Sequence, residues 1–215
     1  MVDYALARRA MVDGQVSTSS VTDPRLLSAM GRIPRERFLP EARQNLAYID
    51  DHHPLGEGRY LPAPAVFARL VQLAEITSSD TVLEMGAGTG YGTAVLASLA
   101  SHVTGLELAP RLAEAAIANL AALGVANAEI VQGDIESLGD AQFDVVVLGA
   151  AIEGEPTDLL AHLKPGGRLV ALVRRGLVGV AMRYTADRNG FKREPHFNAN
   201  LPPLERKAPV DSFVF

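Results

Sequence analysis

The run Val82-Leu83-Glu84-Met85-Gly86-Ala87-Gly88-Thr89-Gly90-Tyr91-Gly92 constrains this chain more than any other stretch. Val82, Leu83 and Met85 read as a short apolar strand. Gly86, Gly88 and Gly90 then read as a tight turn, and Thr93 to Leu99 as the opening of a helix. Glycine takes positive φ without a Cβ penalty, so such a turn lets main chain and a helix N-terminus approach a polar ligand closely. A strand that ends in a glycine turn and feeds a helix is the first corner of a doubly wound α/β sheet.

The rest of the pattern agrees with that corner. From residue 80 the chain alternates apolar runs with helical spacing. It predicts strands at 81–85, 102–107, 128–132, 143–148 and 168–173, and helices at about 91–100, 110–123 and 156–163. Short connections between such elements give a mostly parallel, Rossmann-like sheet with helices on both faces. Late strands are expected at 178–185, 192–197 and 212–215. Residues 1–76 differ in character and read as an N-terminal helical and loop extension that packs on the core and forms the acceptor side. Tyr4 to Val12 and Ala65 to Glu75 have helical spacing, and Asp23-Pro24 reads as a helix start. The stretch 52–64, with glycine at 56 and 58 and proline at 54, 62 and 64, reads as largely loop. Residues 77–215 form the ligand-binding domain in this reading.

Composition narrows the functions available. The chain has 215 residues, 48% of them hydrophobic, which is enough for a real core. No apolar run has membrane-spanning length, and no apolar signal core follows the first residues, so a cytoplasmic protein without membrane attachment is expected. The absence of cysteine removes disulfides and thiolate chemistry. A net charge of −5 without a basic block argues against a nucleic-acid surface. His52 and His53 lack further residues at ligand spacing, so no metal is expected. Oligomeric state is left open.

Three acids give the ligand its character. Glu84 sits within the strand end before the turn. A carboxylate there would repel a pyrophosphate and suits a ligand with a cationic group, such as the amino acid end of S-adenosylmethionine. Glu107 closes the second strand, about 20 residues after the turn, where an acid accepts hydrogen bonds from ribose hydroxyls; Leu108 follows it. Asp134, after the third strand, could accept an adenine amine, with Ile135 against the ring. The expected donor site is therefore Glu84, Gly86, Ala87, Gly88, Gly90, Glu107, Leu108, Asp134 and Ile135. Asp144 reads as structural. A nicotinamide dehydrogenase is the weaker alternative, because position 91 is tyrosine and the G-x-G-x-x-G spacing fails.

As a set, Glu84-x-Gly86-x-Gly88-x-Gly90, Glu107, Gly133-Asp134, Asp144 and Lys164-Pro165-Gly166-Gly167 resemble a class I S-adenosylmethionine-dependent methyltransferase. Ile33-Pro34-Arg35-Glu36-Arg37-Phe38-Leu39-Pro40, Leu46-Ala47-Tyr48, Gly88-Thr89-Gly90-Tyr91 and Gly149-Ala150-Ala151 narrow this. They resemble the protein-L-isoaspartate O-methyltransferase family over roughly residues 10–175. The resemblance implies a protein or peptide carboxylate as acceptor, namely isoaspartyl residues of damaged proteins, with a methyl ester as product and protein repair as the outcome. It also implies that Ala150 and Ala151 lie by the acceptor. The chain departs from the family in one loop. Where the family reads Gly-Gln-Thr-Ile-Ser-Gln-Pro, this chain reads Gly58-Arg59-Tyr60-Leu61-Pro62-Ala63-Pro64, so Pro62 replaces a serine taken as functional. Arg59 and Tyr60 are then expected to line a reshaped acceptor pocket. No residue is assigned as catalytic. Three readings stand: transfer to isoaspartate, transfer to a different acceptor including a small molecule, and a catalytically silent homologue that keeps the donor site.

Overall fold

The computed structural model describes residues 2–176, 178–188 and 190–204. Its centre is β3 (Thr81–Met85), whose last four residues are all buried. β3 is flanked in parallel by β4 (His102–Glu107) and β6 (Phe143–Glu153). With β5 (Ala128–Gln132), β7 (Leu163–Arg175), β8 (Val178–Asp187) and β9 (Gly190–Ala199) the sheet runs β5-β4-β3-β6-β7-β8-β9. The first five strands in that order are parallel; β8 and β9 return antiparallel. The connections wind one way from β3 to β4 and the other way to β6. A crevice therefore opens at the carboxyl ends of these strands.

Alternation along the strands builds two cores. Val82, Val103, Val145 and Val147 face a cluster with Met11, Leu26, Met30, Phe67, Val95 and Leu96. Leu83, Leu106, Val146 and Leu148 face the other side, against Leu159, Leu160 and Tyr184. The N-terminal helices thus share their core with α4 (Tyr91–Ala97). α1 (Tyr4–Met11) is capped by Asp3, whose carboxylate accepts from the Leu6 amide at 3.0 Å. α2 (Pro24–Arg32) is capped by Asp23 in the same way, with proline at its first turn as expected. α3 (Pro64–Leu73) and α5 (Pro110–Ala122) also begin on proline.

Three expectations need correction. The stretch 52–64 is not mainly loop: β1 (His53–Gly56) and β2 (Arg59–Leu61) form an antiparallel hairpin. Gly56, Glu57 and Gly58 all have positive φ, at 92°, 53° and 68°, and turn the chain. Pro54 lies in a two-stranded ribbon and Pro62 just past it, so neither removes a central ladder bond. β6 extends past 148 to Glu153 through a register shift between Val147 and Ala151. The helix expected at 156–163 shrinks to α6 (Thr157–Leu160) because β7 starts at Leu163. The strand expected at 212–215 lies outside the described residues. No helix among the described residues is long and apolar enough to cross a membrane.

Candidate active site

The glycine turn follows β3 at the crevice. Gly86, Gly88 and Gly90 have φ of 75°, 57° and 91°. A Cβ on Gly86 would come within 2.8 Å of Leu204 Cδ1, and one on Gly88 within 2.9 Å of Leu55 Cδ1. Side-chain-free surface is needed here. Four amides of the turn are already engaged within the protein. The Gly86 and Ala87 amides donate to Leu106 O at 2.9 and 3.1 Å, Gly90 N to Ala87 O at 2.9 Å, and Gly88 N to Glu107 Oε2 at 2.8 Å. What the turn presents is bare Cα surface, held rigid by β4.

Glu84 is 3% exposed and lies beneath the turn, against the first turn of α4. Its Oε2 accepts from Thr93 Oγ1 at 2.5 Å. A Cβ on Gly92 would overlap its Oε1 at 1.8 Å, so Gly92 is the space the carboxyl occupies. Burial pushes the Glu84 carboxyl up to about 8, against the hydrogen bonds from Thr93 and with help from the charge of Glu107. Glu84 therefore organises the turn from below and does not line the crevice in this structure. Thr93, its partner, was missed by sequence reasoning.

Glu107 is 0% exposed at the end of β4. Its Oε1 accepts from the Ala109 amide at 2.9 Å and from Arg59 Nε at 3.2 Å; its Oε2 accepts from the Gly88 amide. Arg59, expected at the acceptor, is itself buried and forms an ion pair with this acid. Leu108 beside it is half-buried, as is Ile135, which opens the short 3-10 turn after β5. Asp134 is exposed at the same sheet edge, with its carbonyl accepting from Ser137 N at 3.0 Å.

Around Arg59 a narrow slot, with room for only about 10 Å³, is lined by Gly58, Tyr60, Gly86, Gly149, Ala150 and residues 202–204. Tyr60 is 41% exposed at its mouth. Ala151 does not line it: its side chain is fully buried in the core. Its main chain instead pairs with the chain's own last described segment, Ala151 N donating to Pro202 O at 3.0 Å and Leu204 N to Ala151 O at 2.7 Å. That segment roofs Gly86.

Arg35 supports the hairpin from inside. It is 0% exposed, and donates from Nε to Ala47 O at 2.7 Å and from Nη2 to Pro62 O at 2.6 Å. Its guanidinium lies 4.9 Å from the centre of the Tyr91 ring. Its flanking prolines marked the segment, but nothing local signalled its reach to Pro62. Asp144 is structural, accepting from Thr81 N at 2.8 Å and pairing with Lys164 at 2.8 Å, which holds its carboxyl down at about 2.

Comparison with known proteins fits this geometry. The family model described as Protein-L-isoaspartate(D-aspartate) O-methyltransferase (PCMT) matches residues 7–196. Protein-L-isoaspartate O-methyltransferase 1 of Rhodopseudomonas palustris (strain HaA2) is 42% identical over 170 residues, covering 78% of this chain and 69% of that protein. Protein-L-isoaspartate O-methyltransferase of Rhodopseudomonas palustris (strain ATCC BAA-98 / CGA009) is 39% identical over 201 residues, 90% of this chain and 91% of its own. A solved protein-L-isoaspartate O-methyltransferase has a TM-score of 0.78 at 23% identity, covering 93% of this chain and 66% of its own. A Plasmodium falciparum structure assigned to that enzyme, in complex with S-adenosyl-L-homocysteine, also has a TM-score of 0.78, at 20% identity over 92% of this chain and 98% of its own. At these identities the two structures establish the fold.

Proposed function

Because the chain belongs to the protein-L-isoaspartate O-methyltransferase family, we propose that it moves a methyl group from S-adenosylmethionine to a carboxylate, with isoaspartyl residues of damaged proteins as acceptor. One observation carries the reading: Glu107, fully buried, stands at the carboxyl end of β4 beside a side-chain-free turn. That arrangement fits a ligand pairing a ribose diol with a group that must lie flat on main chain. Glu107 takes the ribose hydroxyls, Gly86 and Gly88 keep the turn free of side chains, and Leu108 and Ile135 flank a ring. Asp134 accepts from an exocyclic amine. Residues 1–76 supply the acceptor side through Arg59 and Tyr60, and Ala150 completes its wall.

When bound, the donor supplies a methyl group already activated on a sulfonium. The protein therefore needs no strong general base. A carboxylate with an ordinary pKa of about 4 is already ionised at neutral pH. The protein's work is to align the acceptor oxygen with the methyl carbon and to keep water out. The β1–β2 hairpin and residues 202–204 roof the cleft on its two sides and serve the second task.

A second reading keeps the donor and changes the acceptor. It is favoured by Pro62, which is buried, has no hydroxyl, and stands where the family loop carries serine. Transfer of tritiated methyl to an isoaspartyl peptide, with its aspartyl isomer as control, tests the choice. Base-labile label on the isoaspartyl peptide alone supports the first reading. Labelling of neither peptide by a protein that binds S-adenosylhomocysteine would move the acceptor elsewhere.

A further inference from the structure

The acid proposed to hold the ribose is already engaged by the protein at three points. Glu107 Oε1 accepts from Ala109 N and from Arg59 Nε at 3.2 Å, and Oε2 from Gly88 N, which leaves one acceptor direction, on Oε2. A ribose diol needs two such directions, and the second is the one Arg59 holds on Oε1. The donor and Arg59 therefore compete for one group. Both are cations, so leaving Arg59 in place would also set two positive charges together in a buried cleft.

Arg59 is placed to move. It is the first residue of β2, directly after three consecutive positive-φ residues. Among the described residues the hairpin pairs only with itself and is not part of the seven-stranded sheet. An isolated two-stranded ribbon is held by its packing, not by its ladder. Its base is fixed: Pro62 O accepts from Arg35 at 2.6 Å, and Ala63 N donates to His52 Nδ1 at 3.0 Å. Its tip, residues 56–58, is exposed. Arg59 thus stands between an anchored base and an exposed tip, and it lines the same cleft as Tyr60, Gly86 and Ala150.

We propose that Arg59 is a two-position positioning residue. It closes the ribose subsite on Glu107 while no donor is bound, and turns to the acceptor's carboxylate once the ribose takes Glu107. This rests on the methyltransferase reading above and adds an order of events to it. The donor binds first, because only its arrival releases the guanidinium that recognises the acceptor. A planar guanidinium matches a carboxylate through two parallel N–H bonds, so the released group has a partner of the right chemistry. Linkage then requires donor product and acceptor to strengthen each other's binding equally.

Calorimetry with S-adenosylhomocysteine tests the first position. Arg59→Gln removes the competitor and is expected to tighten binding roughly tenfold, the scale of one charge-assisted hydrogen bond. Equal or weaker binding overturns the proposal while leaving the methyltransferase reading intact. Absence of binding by both proteins overturns that reading as well. Should Arg59→Gln fail to fold, Arg59→Lys carries the same comparison with a shorter reach and a smaller expected gain. The second position is read with an isoaspartyl peptide. The unmodified protein is expected to bind it at least several-fold more tightly with S-adenosylhomocysteine present, and Arg59→Gln to lose that difference. A peptide that binds the unmodified protein equally with and without S-adenosylhomocysteine overturns the hand-over.

Discussion

Replacing Glu84 by glutamine should flatten the pH dependence of stability. The carboxyl is buried under α4 and pushed from its ordinary 4.5 up to about 8. The folded state therefore holds a proton that the unfolded chain has released. Stability from this proton is complete below pH 4.5 and is lost as pH rises through 8. Carrying the group from 4.5 to about 8 corresponds to at most roughly 5 kcal/mol, with a slope near 1.4 kcal/mol per pH unit inside the window. Between pH 6 and 8 the native protein should lose about 2 kcal/mol that the glutamine variant keeps. Groups outside this pair titrate in both proteins and cancel in the comparison, including His52 and His53, whose burial lowers their affinity for protons. Urea midpoints at pH 6, 7 and 8, with unchanged m-values, would measure it. Parallel curves for the two proteins would refute the argument, because Glu84 would then be titrating as it does in water.

Further outcomes follow from the same contacts. Gly92→Ala ought to stabilise a helix by about 1 kcal/mol on propensity alone. Here the new methyl would collide with Glu84 Oε1, so a loss of roughly 1–3 kcal/mol is expected in chemical denaturation. Adding Glu84→Ala should recover part of that loss, and strict additivity of the two changes would contradict the packing described. Arg35→Lys replaces a fork that reaches Ala47 and Pro62 together, and should cost roughly 1–3 kcal/mol, seen as a lower thermal midpoint. A midpoint equal to that of the native protein would show that the fork does not hold the hairpin base. Leu204→Ala unroofs Gly86 and should change the affinity for S-adenosylhomocysteine with little effect on stability; a large stability loss with unchanged affinity would contradict that placement.

The sequence made the parallel strands legible because each is a short apolar run between turn residues, and four strand starts fall where the pattern puts them, at residues 81, 102, 128 and 143. The hairpin was hidden by its own prolines and glycines, which signal loop locally but sit at an edge and a turn. The far half of β6 depends on pairing with β7 and with Pro203, information that no local window holds. The burial of Glu84 could have been read from alternation. This residue stands two residues after Val82, hence on the face that α4 covers. The Arg59–Glu107 pair joins residues 48 apart in sequence, and only the closed fold brings the loop over the sheet edge. The place of Glu107 at the end of β4, fixed by its offset from the glycine turn, was legible from the start.

The most direct test titrates the folded protein and its Glu107→Ala variant with S-adenosylhomocysteine, with circular dichroism to show both retain the fold. The account predicts one molecule bound per chain by the native protein and a loss of at least tenfold in the variant. No heat from the native protein, or equal affinity in the two, would contradict a donor site built on Glu107.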